Sequence, residues 1–308
     1  MTTTNNQFVL FGAGKAGEFF IQNNPALNII AIADNDVERH GASLLGIPII
    51  SPKELPKLDF QSIIITSQWV DSIKQQLIAE IEIDENKIQI PSKNEVKAAL
   101  PFQHSPTLNL AHQLMRSLND YLQQNDIQAC LDSGTLLGVM RDNALISWDD
   151  DIDFAVDCKN FASVTNLMTD FAPFAPLQDQ VEWKIVMINV SGEDCCINIE
   201  FSPKTGITLI PFDLSIQMRR LSEGNSELVS SAGLFFAPAI HFEQFAKTSF
   251  LGQHFYIPNH ADEFLTFMYG NWREPKQNTR ITEYHNRRVE IADRAPAIVR
   301  KRILATTN

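Results

Sequence analysis

The strongest constraint on this chain is the segment FVLFGAGKAGEFF, residues 8–20: an apolar run, glycines at 12, 14 and 17 in G-x-G-x-x-G spacing, and then a helical pattern. Glycines so spaced permit a tight strand-to-helix turn, close backbone approach to a phosphate, and close contact between helix and strand. The helix that follows points its unpaired N–H groups toward the same place. Two more apolar runs, residues 27–33 and 62–66 (SIIIT), are too short for helices and alternate with helical stretches, which predicts a parallel sheet of α/β type. Asp34 closes the second strand 22 residues past Gly12, where an acid commonly meets a ribose. Gly12, Gly14, Gly17 and Asp34 are thus candidate cofactor-binding residues for a nucleotide or nucleotide sugar. The alternative is a compact β-turn-α junction without a ligand, because the pattern stops near residue 95 and lacks a second mononucleotide-binding half.

The chain has 308 residues, about twice a typical domain of roughly 150. Between residues 90 and 107 the sequence IPSKNEVKAALPFQHSPT carries three prolines and loses the β-α rhythm, so a junction is expected there. The expected domains are a Rossmann-like unit, 1–98, and an α+β unit, 103–308. The second opens with a helix from residue 108 whose Leu110, Leu114, Leu118, Tyr121 and Leu122 form one apolar stripe. Strands are predicted at 127–131, 152–156, 183–190, 196–201 and 208–214. In the first unit GIPIISPKEL, residues 46–55, resembles a segment of the short Rossmann-like domains of bacterial sugar-modifying enzymes, such as PglD-type sugar acetyltransferases. That resemblance implies contact with a nucleotide sugar. No hexapeptide β-helix repeat follows, so it does not imply acetyl transfer.

Residues 131–157, LDSGTLLGVMRDNALISWDDDIDFAVD, are the most informative. Asp149, Asp150, Asp151 and Asp153 lie within five positions, yet apolar residues flank them on both sides. Asp151-Ile152-Asp153-Phe154 alternates as a strand does, which puts two carboxylates on one face and the apolar side chains on the other. Like charges so close are unfavourable unless a cation separates them, and carboxylate oxygens are the ligands that Mg²⁺ or Mn²⁺ takes. Upstream, Ser133, Gly134 and Thr135 follow a predicted strand and open a helix through Arg141, presenting backbone N–H groups suited to phosphate. A calcium loop of EF-hand type is not matched, because its glycine and terminal glutamate are missing.

S-G-T-L-L-G-V-M-R followed by W-D-D-D-I-D strongly resembles the LicD family, which includes bacterial phosphocholine transferases and fukutin-related proteins. The segment LGQHFYIPNHADEFLTFMYGNWREP, residues 251–275, is similar to that family's closing pattern of Ile-Pro, a helix, Tyr-Gly, Trp and Pro. The resemblance spans about residues 108–276. It implies a nucleotidyltransferase-like fold that moves a phosphoalcohol (phosphocholine, phosphoethanolamine, glycerol phosphate or ribitol phosphate) from a CDP-activated donor to a sugar hydroxyl of a bacterial surface glycan or its precursor. It further implies Asp151 and Asp153 as metal ligands, with Asp149 beside them and Asp149 or Asp150 available to a second ion. A third, basic carboxylate is expected at Asp213 (LIPFDLS) in preference to Glu200 (INIEFS). Arg141 suits bidentate phosphate binding or an ion pair with a nearby aspartate, and Lys184 is a further candidate for the donor phosphate.

Net charge and apolar content bound the partners. A net charge of −12 argues against nucleic acid. Residues 273–302 nevertheless carry +5, leaving −17 elsewhere, so this stretch is expected to be either a solvated helix face or an electropositive rim for anionic ligands or peripheral membrane contact. No apolar run reaches the roughly 18 residues needed to span a bilayer, and MTTTNNQ has no secretory pattern, so a cytoplasmic location is expected. Cys130, Cys158, Cys195 and Cys196 fit no metal spacing and read as packing residues. Two competing functions are a nicotinamide-dependent sugar oxidoreductase using the Gly12 turn and a non-catalytic nucleotide-sugar sensor. The first lacks a Tyr-x-x-x-Lys dyad, and the second leaves the intact acidic cluster without a purpose.

Overall fold

The computed structural model describes residues 6–307 except 68, 93–94, 97–99, 231–232, 278–283 and 289–298. The described residues form two compact units, 6–96 and 100–307. The first contains β1 (Gln7–Phe11), α1 (Lys15–Asn23), β2 (Asn28–Ala33), β3 (Ser43–Leu44), β4 (Ile47–Ile50), β5 (Ser62–Ile65), α2 (Val70–Ala79) and β6 (Ile88–Gln89). Its sheet runs β3-β4-β2-β1-β5-β6 and is parallel except at β3. Val9 and Phe11 enter one apolar cluster with Ile63, Ile73 and Leu77, while Leu10 enters another with Phe20, Ile32 and Ile64. Both faces are therefore covered, as a parallel sheet requires. β1 is central, and the glycine turn leaves its C-terminal end.

The second unit begins with α3 (Ser105–Gln124), β7 (Cys130–Leu131), α4 (Ser133–Asp142), β8 (Asp151–Asp157), α5 (Cys158–Met168), β9 (Val181–Val190), β10 (Glu193–Pro203) and β11 (Asp213–Ser222). It continues with β12 (Asn225–Ser230), β13 (Gly233–Pro238), β14 (Phe245–Phe250), β15 (Gln253–Pro258), α6 (Ala261–Tyr269), β16 (Arg287–Arg288) and β17 (Val299–Thr306). The main path through its mixed sheet is β14-β15-β7-β8-β11-β10-β9-β17, with β12, β13 and β16 branching from β11. Leu110, Leu114, Leu118 and Leu122 of α3 are buried in the core with Ile152, Phe154 and Val156 of β8. Truncating one such leucine to alanine costs about 2–5 kcal/mol. The core thus lies on the face of β8 opposite Asp151 and Asp153.

Three expectations change. The strand foreseen at 127–131 shrinks to Cys130–Leu131, because Asp126 adopts φ +58° and the Ile127 N–H returns to the Leu122 carbonyl at 2.9 Å, closing the end of α3. The strand foreseen at 208–214 instead begins at Asp213. Pro211 has no N–H for a ladder, and the Ile210 N–H is held by Thr107 Oγ1 at 3.0 Å. The apolar alternation that matters is Leu214, Ile216 and Met218. Finally, residues 299–306 form an edge strand, not a helix face, and Lys301 and Arg302 pair with Glu200 and Asp194. Arg273 and Arg288 likewise pair with Asp262 and Glu227, so much of the described positive charge in this stretch is locally balanced. Arg280 and Arg294 lie outside the described residues. Among the described residues no helix is long and apolar enough to cross a membrane.

Candidate active site

Asp132 starts the site. It caps α4, its Oδ1 accepting the Ser133 N–H at 2.8 Å, and its own N–H donates to the Asp153 carbonyl at 3.0 Å. The Asp153 N–H in turn donates to Thr135 Oγ1 at 2.9 Å. These bonds stitch the first turn of α4 to β8, so the Ser133-Gly134-Thr135 turn and the aspartates occupy one place. Ser133 takes φ +49°, a left-handed value that is costly for a residue with a side chain and typical of functional turns.

The two glycines of this helix have steric roles. A Cβ on Gly134 would lie 2.4 Å from Asp149 Oδ2, so the bare Cα is what lets that carboxylate rest against the helix start. A Cβ on Gly138 would lie 2.5 Å from the Ala144 carbonyl oxygen, so this glycine admits the backbone of the loop that leads into the acidic run. Asn143, with φ +50°, turns the chain at the end of α4 to begin that loop.

Ligand atoms of Asp149, Asp150 and Asp151 all lie within 4.8 Å of one another. Each pair at that separation repels by about 1 kcal/mol in water and about 3 kcal/mol at the effective dielectric near a protein surface. A divalent cation among them reverses the sign, and an all-carboxylate donor set is of the hard type that Mg²⁺ and Mn²⁺ take. The converging group differs from the expected one: Asp150 joins Asp149 and Asp151, and Asp153 does not.

Asp153 lies deeper, 7% exposed, where its Oδ1 accepts from Ser215 Oγ at 2.7 Å and Gln217 Nε2 at 2.6 Å. Burial pushes its carboxyl up to about 7; the Ser215 and Gln217 hydrogen bonds oppose that rise and the charges of Asp132 and Asp149 add to it. Across the parallel ladder Asp213 stands opposite Asp151, and Ser215 opposite Asp153. Glu200 is one strand further away and is paired with Lys301 Nζ at 2.6 Å. Lys184 is the cross-strand neighbour of Glu200 and is exposed. Arg141 is engaged locally: both its Nε and Nη2 donate to Asp142 Oδ2, at 2.9 and 2.7 Å, and its guanidinium lies over the Trp148 ring. An ion pair with a nearby aspartate, Asp142, is thus present.

Sequence reasoning missed Asp132, Ser215, Gln217, Arg219 and Tyr269. Arg219 Nε donates to Asp132 Oδ2 at 2.6 Å, with both side chains buried. Half-buried Tyr269, from the Tyr-Gly step of the closing pattern, has its phenol held well above the ordinary range by desolvation, then by the nearby charges of Tyr284, Asp132, Asp153 and Asp149. Placement before a helix start was the available signal for Asp132; Ser215, Gln217 and Arg219 needed the strand register, and Tyr269 the placement of α6. Burial also raises the thiols of Cys130, Cys195 and Cys196, keeping them protonated at neutral pH, as packing residues would be.

In the first unit Gly12 has φ +116°, and a Cβ on Gly17 would fall 2.3 Å from the Gly12 carbonyl oxygen. Asp34 is turned into the glycine turn itself: its Oδ2 accepts the Ala13 N–H at 2.7 Å and its Oδ1 the Asp36 N–H at 2.9 Å. Arg39 Nη1 reaches the Ala13 carbonyl at 2.8 Å. The expected ribose acid is thus engaged in bracing the loop, whereas the Cα of Gly14 faces open space.

Comparison with known proteins agrees with this division. Residues 126–260 match the LicD/FKTN/FKRP nucleotidyltransferase domain. Residues 4–89 match the C2185-like N-terminal domain, which replaces the PglD-type likeness expected from residues 46–55. No curated protein matches. Among solved structures, UDP-D-quinovosamine 4-dehydrogenase from Vibrio fischeri is 21% identical and covers 29% of this chain and 81% of its own, with a TM-score of 0.24. A myo-inositol dehydrogenase from Corynebacterium glutamicum is 15% identical over 82% of this chain and 81% of its own, with a TM-score of 0.21. Biliverdin reductase from Synechocystis is 11% identical over 93% and 96%, with a TM-score of 0.26. Scores this low carry no inference, and the fold rests on the strand order described above.

Proposed function

We propose that the second unit is a divalent-metal-dependent phosphotransferase that moves a phosphoalcohol from a CDP-activated donor to a sugar hydroxyl of a bacterial surface glycan or its precursor. The observation that carries this reading is the convergence of Asp149, Asp150 and Asp151 against the first turn of α4, at a glycine whose missing Cβ makes room for Asp149. The match of residues 126–260 to a nucleotidyltransferase domain supports it.

In this reading Asp149, Asp150 and Asp151 hold a Mg²⁺ or Mn²⁺ ion, with Asp153 behind them. When bound, that ion offsets charge on the donor's phosphate oxygens. With the Ser133 N–H taken by the Asp132 cap, the start of α4 offers the N–H groups of Gly134 and Thr135 to the donor's diphosphate. Asp213, in register with Asp151, accepts the proton of the acceptor hydroxyl. The hydroxyl oxygen forms a bond to the phosphorus bearing the alcohol, the phosphoanhydride bond breaks, and CMP leaves with the electron pair. Lys184 lies on β9, two strands from Asp213, and is the more distant candidate for the anionic leaving group or acceptor.

Release of CMP from a panel of CDP-choline, CDP-ethanolamine, CDP-glycerol and CDP-ribitol, with and without Mg²⁺ and a glycan acceptor, tests the assignment. One productive donor is expected, and Asp151→Asn should abolish its turnover. Metal-independent turnover, or full turnover in Asp151→Asn, rejects the site. For the first unit we infer a nucleotide or nucleotide-sugar site at Gly14, and calorimetric titration with NAD and UDP-sugars tests it; no heat from any of them assigns the unit to a scaffold role.

A further inference from the structure

Arg219 is a cation held behind the acidic site in a fixed, buried geometry. Its side chain is 5% exposed and that of Asp132 is fully buried, and their ion pair of 2.6 Å joins β11 to the junction of β7 and α4. The guanidinium is 4.1 Å from the ring centroid of Phe242 and 5.9 Å from that of Phe264, so stacked aromatics limit its movement. Asp132 is the shared element. One of its oxygens caps α4, the other takes Arg219, and its N–H holds the backbone of Asp153. On β11 the same strand face carries Asp213, Ser215 and Gln217, the last two holding the Asp153 carboxylate. One strand thereby orients the carboxylate of Asp153 directly and the first turn of α4 through Asp132.

We propose that Arg219 is a positioning residue that acts through Asp132 to hold the first turn of α4, and with it Gly134 and the Asp149 carboxylate, in the metal-binding geometry. This rests on the phosphotransferase reading. The class of ligand affected is the divalent cation, because Asp149 is seated on the helix start that Asp132 caps.

The sign of the effect separates positioning from the alternatives. Removing a cation near an acidic site, by charge alone, would tighten metal binding. Loss of a packing residue alone would lower the melting temperature and leave the metal affinity of the folded fraction unchanged. Displacement of Asp149 weakens metal binding. The full chain is titrated with Mn²⁺, followed by electron paramagnetic resonance, alongside thermal melting, in Arg219→Lys, Arg219→Met, Asp132→Asn and the Asp132→Asn/Arg219→Met double variant. Arg219→Lys keeps the charge but loses the planar fork and its stacking, and should weaken Mn²⁺ at least tenfold. Arg219→Met leaves a buried, uncompensated carboxylate and should melt lowest of the set. The double variant should regain melting temperature yet bind Mn²⁺ within threefold of Asp132→Asn alone, because the two residues act in series. Wild-type or tighter Mn²⁺ affinity in folded Arg219→Lys and in the double variant overturns the inference. Additive losses from the two single substitutions overturn it as well. If Arg219→Met fails to fold, the lysine and double variants still decide the matter. Absence of Mn²⁺ binding by the unaltered chain overturns the phosphotransferase reading, and this inference with it.

Discussion

Replacing Gly134 by alanine isolates geometry from stability in this site. The added Cβ would lie 2.4 Å from Asp149 Oδ2, where ordinary contact needs more than 3 Å, so the carboxylate must withdraw by close to 1 Å. The atom that yields is the end of a side chain, not backbone, and alanine is favoured over glycine in a helix by up to about 1 kcal/mol. Melting temperature should therefore hold or rise slightly. A displacement of about 1 Å at a reacting centre costs on the order of 100-fold in rate, about 2.7 kcal/mol of barrier. Gly138→Ala reverses the pattern: its Cβ would meet the Ala144 carbonyl oxygen at 2.5 Å and the Ile146 nitrogen at 3.1 Å, both backbone. Overpacking of that kind costs about 1–3 kcal/mol, or roughly 2–10 °C of melting temperature for a unit of this size. CMP release at saturating donor and scanning fluorimetry measure the two quantities on the same samples. Wild-type turnover in a well-folded Gly134→Ala variant would refute the claim that Asp149 must rest on that helix turn.

Asp213→Asn should lower turnover by about 10²–10⁴ with little change in folding, whereas Glu200→Gln, which removes an ion pair with Lys301, should alter it less than tenfold; steady-state kinetics of both variants check the choice of base. Asp153 carries a carboxyl raised to about 7, against an ordinary value of 3.8. The folded chain then binds its proton more tightly than the unfolded chain, so this group's contribution is present below about pH 4 and lost as pH rises toward 7. Asp153→Asn in metal-free buffer should accordingly be more stable than the parent at pH 8, by up to a few kcal/mol, and near parity at pH 4, as urea titrations at the two pH values would reveal. Equal differences at both would contradict the buried, charge-crowded environment. In the first unit Gly17→Ala forces a Cβ to within 2.3 Å of the Gly12 carbonyl and should lower the thermal transition of that unit by several degrees; amide exchange of residues 8–20 localises the effect, and unchanged protection there counts against the tight turn.

The sequence by itself determined the features that depend on neighbours along the chain. Period-two alternation in 151–156 places carboxylates opposite apolar residues, the leucine stripe of residues 110–122 makes a helix with one buried face, and glycines 12, 14 and 17 close a strand-to-helix turn. Local periodicity and backbone sterics are sufficient for each. Tertiary structure decided what depends on register between distant segments. Ser215 and Gln217 became partners of Asp153 only because β11 lies parallel to β8 in one alignment, and a slip of one residue would have turned both away. Likewise Asp34 bends into its own loop, Arg141 takes its neighbour Asp142, and Arg219 finds Asp132 across 87 residues. Such choices are made by which buried charges and N–H groups still need a partner once the core has closed, and no local pattern contains that information.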